Sequence, residues 1–153
     1  MFEYNGHAFY HVTKLKVRFH EVDMLGVCNN AVYVSFLEQS RLEYLKEAGL
    51  IPERGLFTDG FDFFMVRNEI NYRRHSKYDD ELEIHTRISY IGNSSYGFEH
   101  VIVNKTTGEV VVDGSGVVAQ VDQKTGKTAP LSDEFTVKVG SFERRSFDRS
   151  KKA

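Results

Sequence analysis

Long-range helical periodicity is confined to one segment of this chain, and the segments around it alternate with the period of two that is typical of β-strands. Between about Ala31 and Ala48, the larger apolar side chains recur at steps of three and four residues. This spacing places them on one face of a helix. Gly49 follows directly and is a common helix stop signal. The pattern predicts a fold in which one long helix packs against a sheet.

The other patterned segments predict about five strands, one before the helix and four after it. Before the helix, residues 12–20 alternate between less polar and charged side chains, as a half-buried strand does. After the helix, the predicted strands are Phe61–Tyr72, Leu82–Tyr90, Tyr96–Val103 and Glu109–Val121. Short polar turns separate the later strands, which favours antiparallel pairing. The order of elements predicts an α+β fold.

The length of 153 residues fits one domain. We predict a single domain over residues 1–140 and a poorly ordered tail over residues 141–153, because that last segment is polar and mildly basic. Cys28 is the only cysteine, which excludes an intrachain disulfide and a zinc site built from several cysteines.

Charge and hydropathy exclude several classes of partner. Twenty basic side chains against 22 acidic ones leave no excess of positive charge for neutralising phosphates, so no nucleic-acid partner is expected. The first residues lack the basic start and apolar run of a signal peptide, and no apolar stretch is long enough to span a bilayer. We therefore expect a cytoplasmic protein with no membrane association.

The segment with the most specific pattern joins the first strand to the helix. Residues 17–44 read VRFHEVDMLGVCNNAVYVSFLEQSRLEY. The ordered features are an acidic residue, a glycine three positions later, an asparagine pair, a tyrosine entering the helix, and then an acidic and a basic helix residue: Asp23, Gly26, Asn29, Asn30, Tyr33, Glu38 and Arg41. This pattern resembles the 4-hydroxybenzoyl-CoA thioesterase-like branch of the hotdog superfamily. The resemblance extends over residues 12–130, so it is more specific than a short motif alone.

The resemblance implies a hotdog fold, with one long central helix wrapped by a curved antiparallel β-sheet of about five strands. It also implies a small cytosolic enzyme that hydrolyses acyl-CoA thioesters to free acid and CoA. Thioesters of acyl carrier protein are the alternative substrates, and a non-catalytic protein that binds acyl thioesters stays open as a third interpretation. Members of the family are dimers or tetramers with pockets between subunits, so a homodimer or homotetramer is expected. The resemblance implies no metal and no cofactor, since coenzyme A is part of the substrate.

Thioester hydrolysis requires a carboxylate that attacks the carbonyl or activates water, and donors for the oxyanion. Asp23 lies just before the helix, whose first amides have no intrahelical acceptor. We interpret Asp23 as general base or nucleophile, and the resemblance assigns the carbonyl-polarising amide to Asn30. Two bland interpretations compete: Asp23 caps its own turn, or Asn30 is a plain helix N-cap. Tyr33 and Glu38 are the remaining catalytic candidates, with Glu38 as a backup acid.

Two departures from the family pattern bear on the mechanism. Some relatives carry histidine where this chain has Val27 or Asn30. This favours a site based on Asp23 alone over a histidine-assisted one. Cys28 has no histidine at a short offset that would act as its base, so we expect it to be a packed side chain.

Substrate contacts are predicted in three places. Gly26 permits a tight bend beside Asp23. The basic pair Arg73 and Arg74 follows a strand and is suited to phosphate groups. The resemblance places pantetheine or nucleotide contacts near a loop that offers backbone and hydroxyl donors, at Asn93, Ser94 and Ser95.

Overall fold

The computed structural model describes residues 1–51 and 60–149 of the chain. In chain order the elements are β1 (Phe2–Tyr4), β2 (His7–Phe9), β3 (His11–Lys16), a 3-10 turn (Phe19–Glu21), α1 (Asn30–Glu47), β4 (Phe61–Tyr72), β5 (Glu81–Ile91), β6 (Ser95–Asn104), β7 (Val110–Asp122) and α2 (Asp133–Glu143). An α+β fold with a five-stranded antiparallel sheet is thereby confirmed. There are two helices in the described part, however, where one long helix was expected. Neither of them has the length and apolar character that crossing a bilayer requires.

The main sheet has the strand order β3-β5-β6-β7-β4, and every neighbouring pair is antiparallel. The bounds predicted for β4 agree with the structure, and those of β5, β6 and β7 differ by one residue at each end. Strand β3, which was predicted over residues 12–20, ends at Lys16, so the predicted alternation does not continue to Phe19. That side chain is 81% exposed in the 3-10 turn. The sequence offers Phe57, Phe61, Phe63 and Phe64 as core residues or as the lining of an acyl pocket or subunit interface, and of these Phe57 lies outside the described residues.

Helix α1 lies against the sheet and divides the core into two apolar clusters. One cluster packs around Tyr44 and Phe98, and the other around Leu37 and Ile84. The buried polar side chains Ser40, Thr86 and His100 form a continuous hydrogen-bonded series across the core. Burial lowers the pKa of His100 well below its ordinary value, so this imidazole is neutral.

Strands β4 and β7 approach each other more closely than a Cβ atom at two positions of β7 would allow. A Cβ added at Gly114 would lie 2.3 Å from the Glu69 carbonyl oxygen, and one at Gly116 would lie 2.5 Å from the Met65 methyl group. A β-bulge between Met65 and Arg67 accompanies this contact. Glycine at both positions lets β4 bend against β7 and curve the edge of the sheet.

The N-terminal hairpin of β1 and β2 was not predicted, because its strands are only three residues long. It is held on the sheet by side chains that are distant in sequence. The Phe2 ring stacks on the His85 ring with centroids 3.8 Å apart. The Tyr4 hydroxyl donates a hydrogen bond of 2.7 Å to Asp113. The hairpin therefore covers part of the outer face of the sheet.

The second helix corrects the prediction of a poorly ordered tail from residue 141, because α2 runs through that boundary to Glu143. The buried Glu143 carboxylate accepts hydrogen bonds from the Tyr44 hydroxyl and the Ile88 N–H. Arg145 donates to the carbonyl groups of Ile88 and Ser89. The physical reason lies in the sheet: β5 extends past the pairing of β3, so these backbone groups need other partners. Residues 150–153 lie outside the described part.

Candidate active site

Asp23 lies at the base of a tight turn between β3 and α1. Its N–H donates to the Val27 carbonyl, and its carbonyl accepts from the Gly26 N–H, each at 3.0 Å. Gly26 has a φ of +79°, a backbone conformation that glycine adopts without steric cost, and the predicted bend is therefore found at this position. The side chains of Met24 and Leu25 form the exposed tip of the turn.

The two oxygens of the Asp23 carboxylate have different surroundings. Oδ1 accepts a hydrogen bond of 2.8 Å from the Leu25 N–H, so Asp23 does cap its own turn. Oδ2 takes part in no hydrogen bond or ion pair with the described residues, and the side chain is half-buried. One oxygen therefore fixes the orientation of the carboxylate, and the other has no partner among the described residues.

The start of α1 separates the capping role from the donor role. The Asn29 side chain, and not that of Asn30, is the N-cap, and it accepts a hydrogen bond of 2.9 Å from the Ala31 N–H. The Asn30 N–H has no acceptor among residues 1–51 and 60–149. An unpaired amide at the positive end of a helix dipole attracts an anionic or polarised oxygen.

Backbone pairing brings the Asp23 turn and the start of α1 together. Val22 forms an isolated bridge with Cys28, and the Asn29 N–H donates to the Glu21 carbonyl at 2.9 Å. The Glu21 side chain is buried and binds the Arg18 guanidinium. Burial opposes ionisation of Glu21, but the hydrogen bonds from Arg18 outweigh it and lower the pKa of this carboxyl. Glu21 was not predicted, and it stabilises the loop in its ionised form.

Tyr33 belongs to the support of the site and does not line it. Its side chain is 1% exposed, and its hydroxyl shares a hydrogen bond of 2.5 Å with Ser76 Oγ. Burial raises the pKa of Tyr33 to about 12, so the phenol stays protonated near neutral pH. The Ser76 carbonyl in turn accepts from the Cys28 N–H at 2.7 Å. The prediction of a catalytic Tyr33 is therefore corrected to a positioning role.

Cys28 is a packed side chain, as predicted. The thiol is buried in the apolar cluster around Leu37, and burial raises its pKa. A thiol with a raised pKa is a poor nucleophile at neutral pH.

Glu38 is exposed on α1 and lies away from the Asp23 turn. It follows Asn30 by eight residues, which corresponds to about 12 Å along a helix axis. It lies one helical turn before the buried Arg41 and favours the charged form of that guanidinium. Within one chain, Glu38 and Asp23 do not form a pair of neighbouring carboxylates.

The two predicted arginines at the end of β4 differ in how they are engaged. The Tyr72 hydroxyl donates to the Asn30 carbonyl at 3.1 Å, which links the end of β4 to the start of α1. Arg73 makes two hydrogen bonds of 3.1 Å to the Asp113 carboxylate. Arg74 is exposed, approaches Glu109 at 3.8 Å and donates one hydrogen bond of 3.2 Å to the Arg73 carbonyl, but makes no close carboxylate pair. Arg74 is therefore the more available cation for a phosphate group.

The loop that contains Asn93, Ser94 and Ser95 lies at the opposite end of the sheet. The Ser94 carbonyl accepts from the Gln120 N–H, whereas the Arg73 N–H donates to the Val111 carbonyl. Nine residues of β7 separate these two positions, which is roughly 30 Å of extended strand. A single chain therefore does not bring the loop and the arginine pair to one site.

No group of three or more His, Cys, Asp and Glu side chains within the described ranges is arranged to hold a metal ion.

The comparison with protein families identifies the class of this chain. The model of the thioesterase-like superfamily matches residues 17–139, which include the Asp23 turn, α1 and the main sheet after it. The chain belongs to this superfamily. The resemblance to hotdog thioesterases that the sequence pattern indicated is therefore confirmed.

Individual relatives and structures agree with this class. The long-chain acyl-CoA thioesterase FadM of Escherichia coli (strain K12) is 30% identical over 127 residues, 83% of this chain and 95% of the relative. The acyl-acyl carrier protein thioesterase ATL3 of Arabidopsis thaliana is 26% identical over 119 residues, 78% of this chain and 62% of the relative. A thioesterase of Thermus thermophilus, solved in complex with coenzyme A and Zn, superposes with a TM-score of 0.74 at 29% identity. That match covers 90% of this chain and 97% of the other.

Proposed function

We propose that this protein hydrolyses acyl-CoA thioesters to free acid and CoA, with Asp23 as general base or nucleophile. One observation carries the proposal: the unpaired Oδ2 of Asp23 lies on a turn that backbone pairing holds against the unpaired Asn30 N–H. This juxtaposition combines a fixed carboxylate with a preorganised donor, the two elements that thioester hydrolysis requires. The acyl-CoA thioesterase FadM and the coenzyme A complex of the Thermus relative support this substrate class.

Hydrolysis of the thioester proceeds by one of two routes. As general base, Asp23 takes a proton from water while the oxygen attacks the thioester carbon. As nucleophile, its Oδ2 forms a mixed anhydride that water then cleaves. In both routes the carbonyl oxygen gains charge toward the Asn30 N–H, and the thiolate of CoA leaves and takes up a proton. Water and a carboxylate suffice, so we expect turnover to be unchanged after dialysis against a metal chelator.

We propose that a second copy of the chain completes the site. β4 is a twelve-residue edge strand whose exposed side chains include Phe64, Met65 and Val66. An apolar edge of this length is a ready surface for pairing with another strand. Antiparallel pairing of two β4 strands about a two-fold axis places the Asn93–Ser95 loop of the partner subunit toward the Asp23 end of this chain. The predicted CoA contacts at Arg74 and in this loop then come from different subunits.

Thioesters of acyl carrier protein are the alternative substrates, which the similarity to the Arabidopsis enzyme favours. Hydrolysis rates on matched CoA and carrier-protein thioesters of the same acyl group separate the two. A higher kcat/KM for the CoA ester supports the proposed function. A clear preference for the carrier-protein ester supports the alternative.

The experiment that tests the proposal is a hydrolysis screen over aromatic, short-, medium- and long-chain acyl-CoA esters, with Asp23→Asn as the active-site variant. Asp79→Asn is the matched control, because Asp79 is an exposed aspartate on the adjoining loop whose positive φ asparagine tolerates. We expect the wild type and the control to hydrolyse at least one ester class. We expect Asp23→Asn to lose about 10²- to 10⁴-fold in kcat.

Two results would count against this function. Full turnover by the Asp23→Asn variant would remove Asp23 from the mechanism. Binding of acyl-CoA, detected by native mass spectrometry, without turnover of any ester would instead support a non-catalytic binding protein.

A further inference from the structure

A second group of chemically suitable side chains lies on the far side of the sheet from β4, between β3 and the end of α1. Glu47 Oε2 is 2.6 Å from His11 Nδ1, and His11 Nε2 is 3.0 Å from Thr13 Oγ1. The three residues thus form an acid–imidazole–hydroxyl series with hydrogen-bonding distances at both links. Glu47 ends α1, about 26 Å along the helix axis from Asn30. This group is therefore separate from the Asp23 site.

The direction of the hydrogen bonds follows from the carboxylate. An ionised carboxylate only accepts, so His11 Nδ1 carries the proton that it donates to Glu47. In a neutral imidazole, Nε2 is then the acceptor, and the Thr13 hydroxyl donates to it. The alternative acceptor for that hydroxyl, Ser40 Oγ, is farther away at 3.5 Å. The arrangement has the proton order in which an imidazole removes a proton from a hydroxyl nucleophile.

The imidazole is held rigidly, whereas the acid end reaches solvent. His11 is 3% exposed and packs against the Tyr44 ring with an edge contact of 5.6 Å between centroids. The Glu47 side chain is 54% exposed. Thr13 is half-buried, on the face of β3 that turns toward α1. A fixed base beside a hydroxyl that solvent can reach meets the geometric requirement for nucleophilic catalysis.

A groove of about 670 Å³ opens directly on this group. It is lined by His11, Val12, Thr13, Lys14, Leu15, Gln39, Glu43, Lys46 and Glu47. This volume lies within the range of small-molecule sites. The groove is therefore large enough for a small acyl ester next to Thr13.

The free edge of β3 supplies donors for an oxyanion. The Val17 N–H donates to the Asp80 carbonyl. By the register of the pair, the N–H groups of the odd-numbered residues of β3 therefore point toward β5. The N–H groups of Val12 and Lys14 point the other way, because antiparallel pairing alternates. β3 is an edge strand, and these two amides have no hydrogen-bond partner in the described part of the chain. One of them belongs to the residue that directly follows Thr13, and both residues line the groove.

We propose that Glu47, His11 and Thr13 form a second acyl-transfer site, which cleaves small carboxylic esters in the β3–α1 groove. Thr13 Oγ1 attacks the ester carbonyl carbon while His11 Nε2 takes the hydroxyl proton. The C–O bond to the alcohol breaks, and His11 returns the proton to the leaving alkoxide. Water then attacks the Thr13 acyl ester by the same steps and releases the acid and the free hydroxyl. Glu47 is a positioning residue that holds the imidazole in the required tautomer.

Hydrolysis of p-nitrophenyl acetate by the full chain tests this site. Thr13→Val, which is nearly isosteric, should lower kcat/KM by about 10²- to 10⁴-fold, and Thr13→Ser should retain most of it. Glu47→Gln should lower kcat about tenfold or more with little change in KM, and should alter the pH–rate profile. A fluorophosphonate probe should label the peptide that contains Thr13 in the wild type and not in Thr13→Val.

Two control variants make the result decisive. Thr86→Val removes a buried hydroxyl that is bound to Ser40 and His100 and lies outside the groove, and it should keep ester turnover. Asp79→Asn should also keep it, because Asp79 lies outside both the groove and the Asp23 turn. Equal turnover of p-nitrophenyl acetate by wild type and Thr13→Val would overturn the proposal, as would loss of that turnover in Asp23→Asn alone. A shift in thermal stability of Thr13→Val without a change in ester turnover would reduce the series to a structural link between β3 and α1.

Discussion

The two ends of α1 show how differently this protein treats its polar groups. At the start, the Asn30 N–H and one oxygen of Asp23 have no partner in the described chain. Near the end, the C-terminal segment supplies partners for the edge of β5, where Glu143 and Arg145 bind the backbone of Ile88. Asn30 is exposed and Asp23 is half-buried, so both unmatched groups are accessible from the surface. The start of α1 therefore has polar groups without partners in the described chain, whereas the polar groups are matched where the end of α1 packs against α2.

The largest change in stability is expected from removing the matched polar contacts near the end of α1. Glu143→Ala removes the acceptor for both the Tyr44 hydroxyl and the Ile88 N–H. Leaving two buried donors unsatisfied should lower the free energy of unfolding by roughly 2–4 kcal/mol. Urea denaturation followed by circular dichroism measures this loss.

Glu134→Ala is the control for that variant, because Glu134 is an exposed residue of the same helix with a surface pair to Lys138. Its loss should stay below about 1 kcal/mol. Equal destabilisation by the two variants would show that the Glu143 contacts do not hold the C-terminal segment.

A smaller change in stability is expected from removing either of the two helix N-caps. Asn29 caps α1 and Ser132 caps α2, each by accepting a backbone N–H through its side chain. Replacing either with alanine should cost about 1 kcal/mol of stability. Only Asn29→Ala should also lower thioester turnover, because it loosens the amide beside Asp23.

Both variants are compared by thermal melting and by kcat on the same acyl-CoA. If Ser132→Ala lowered kcat as much as Asn29→Ala, the effect would come from global stability, and the start of α1 would lose its special role.

The smallest expected effect is the pH dependence of the stability that Glu143 contributes. Burial raises the pKa of Glu143 above its ordinary value. A carboxyl with a raised folded-state pKa contributes fully below its unfolded pKa, and this contribution is lost as pH rises through the folded pKa. Glu143→Gln keeps the shape and an acceptor but does not titrate. The stability of the wild type relative to this variant should therefore fall as the pH rises above about 4, the ordinary range of a glutamate, in urea titrations, and a rise would contradict the assignment.

The start of α1 could be predicted because its determinants are close in sequence. Asp23, Gly26 and the asparagine pair fall within eight positions, and their turn and cap chemistry is local. The burial of Tyr33 also had a local signal, since helical spacing places it on the same face as Leu37. Tyr33 was a catalytic candidate because of the family resemblance, although its helical spacing already indicated a buried side chain.

The C-terminal helix and the N-terminal hairpin could not be predicted in the same way. Glu143 contacts Tyr44 and Ile88 across 99 and 55 residues, and Tyr4 contacts Asp113 across 109. Such pairings depend on the folded sheet and leave no periodic pattern in either partner. The opposite placement of Arg73 and Ser94 likewise follows from strand register, which spacing along the chain does not reveal.

The role of Asp23 is measured most directly by comparing two acids on one substrate: kcat/KM of Asp23→Asn and of Glu38→Gln with the best acyl-CoA from the screen. The turn-bound Asp23 should be essential, so the first variant should fall by at least about 10²-fold. The exposed Glu38 should be dispensable, and the second variant should stay within about threefold of the wild type. Wild-type turnover by Asp23→Asn, together with loss of turnover in Glu38→Gln, would move the chemistry from the start of α1 to its middle and contradict the account.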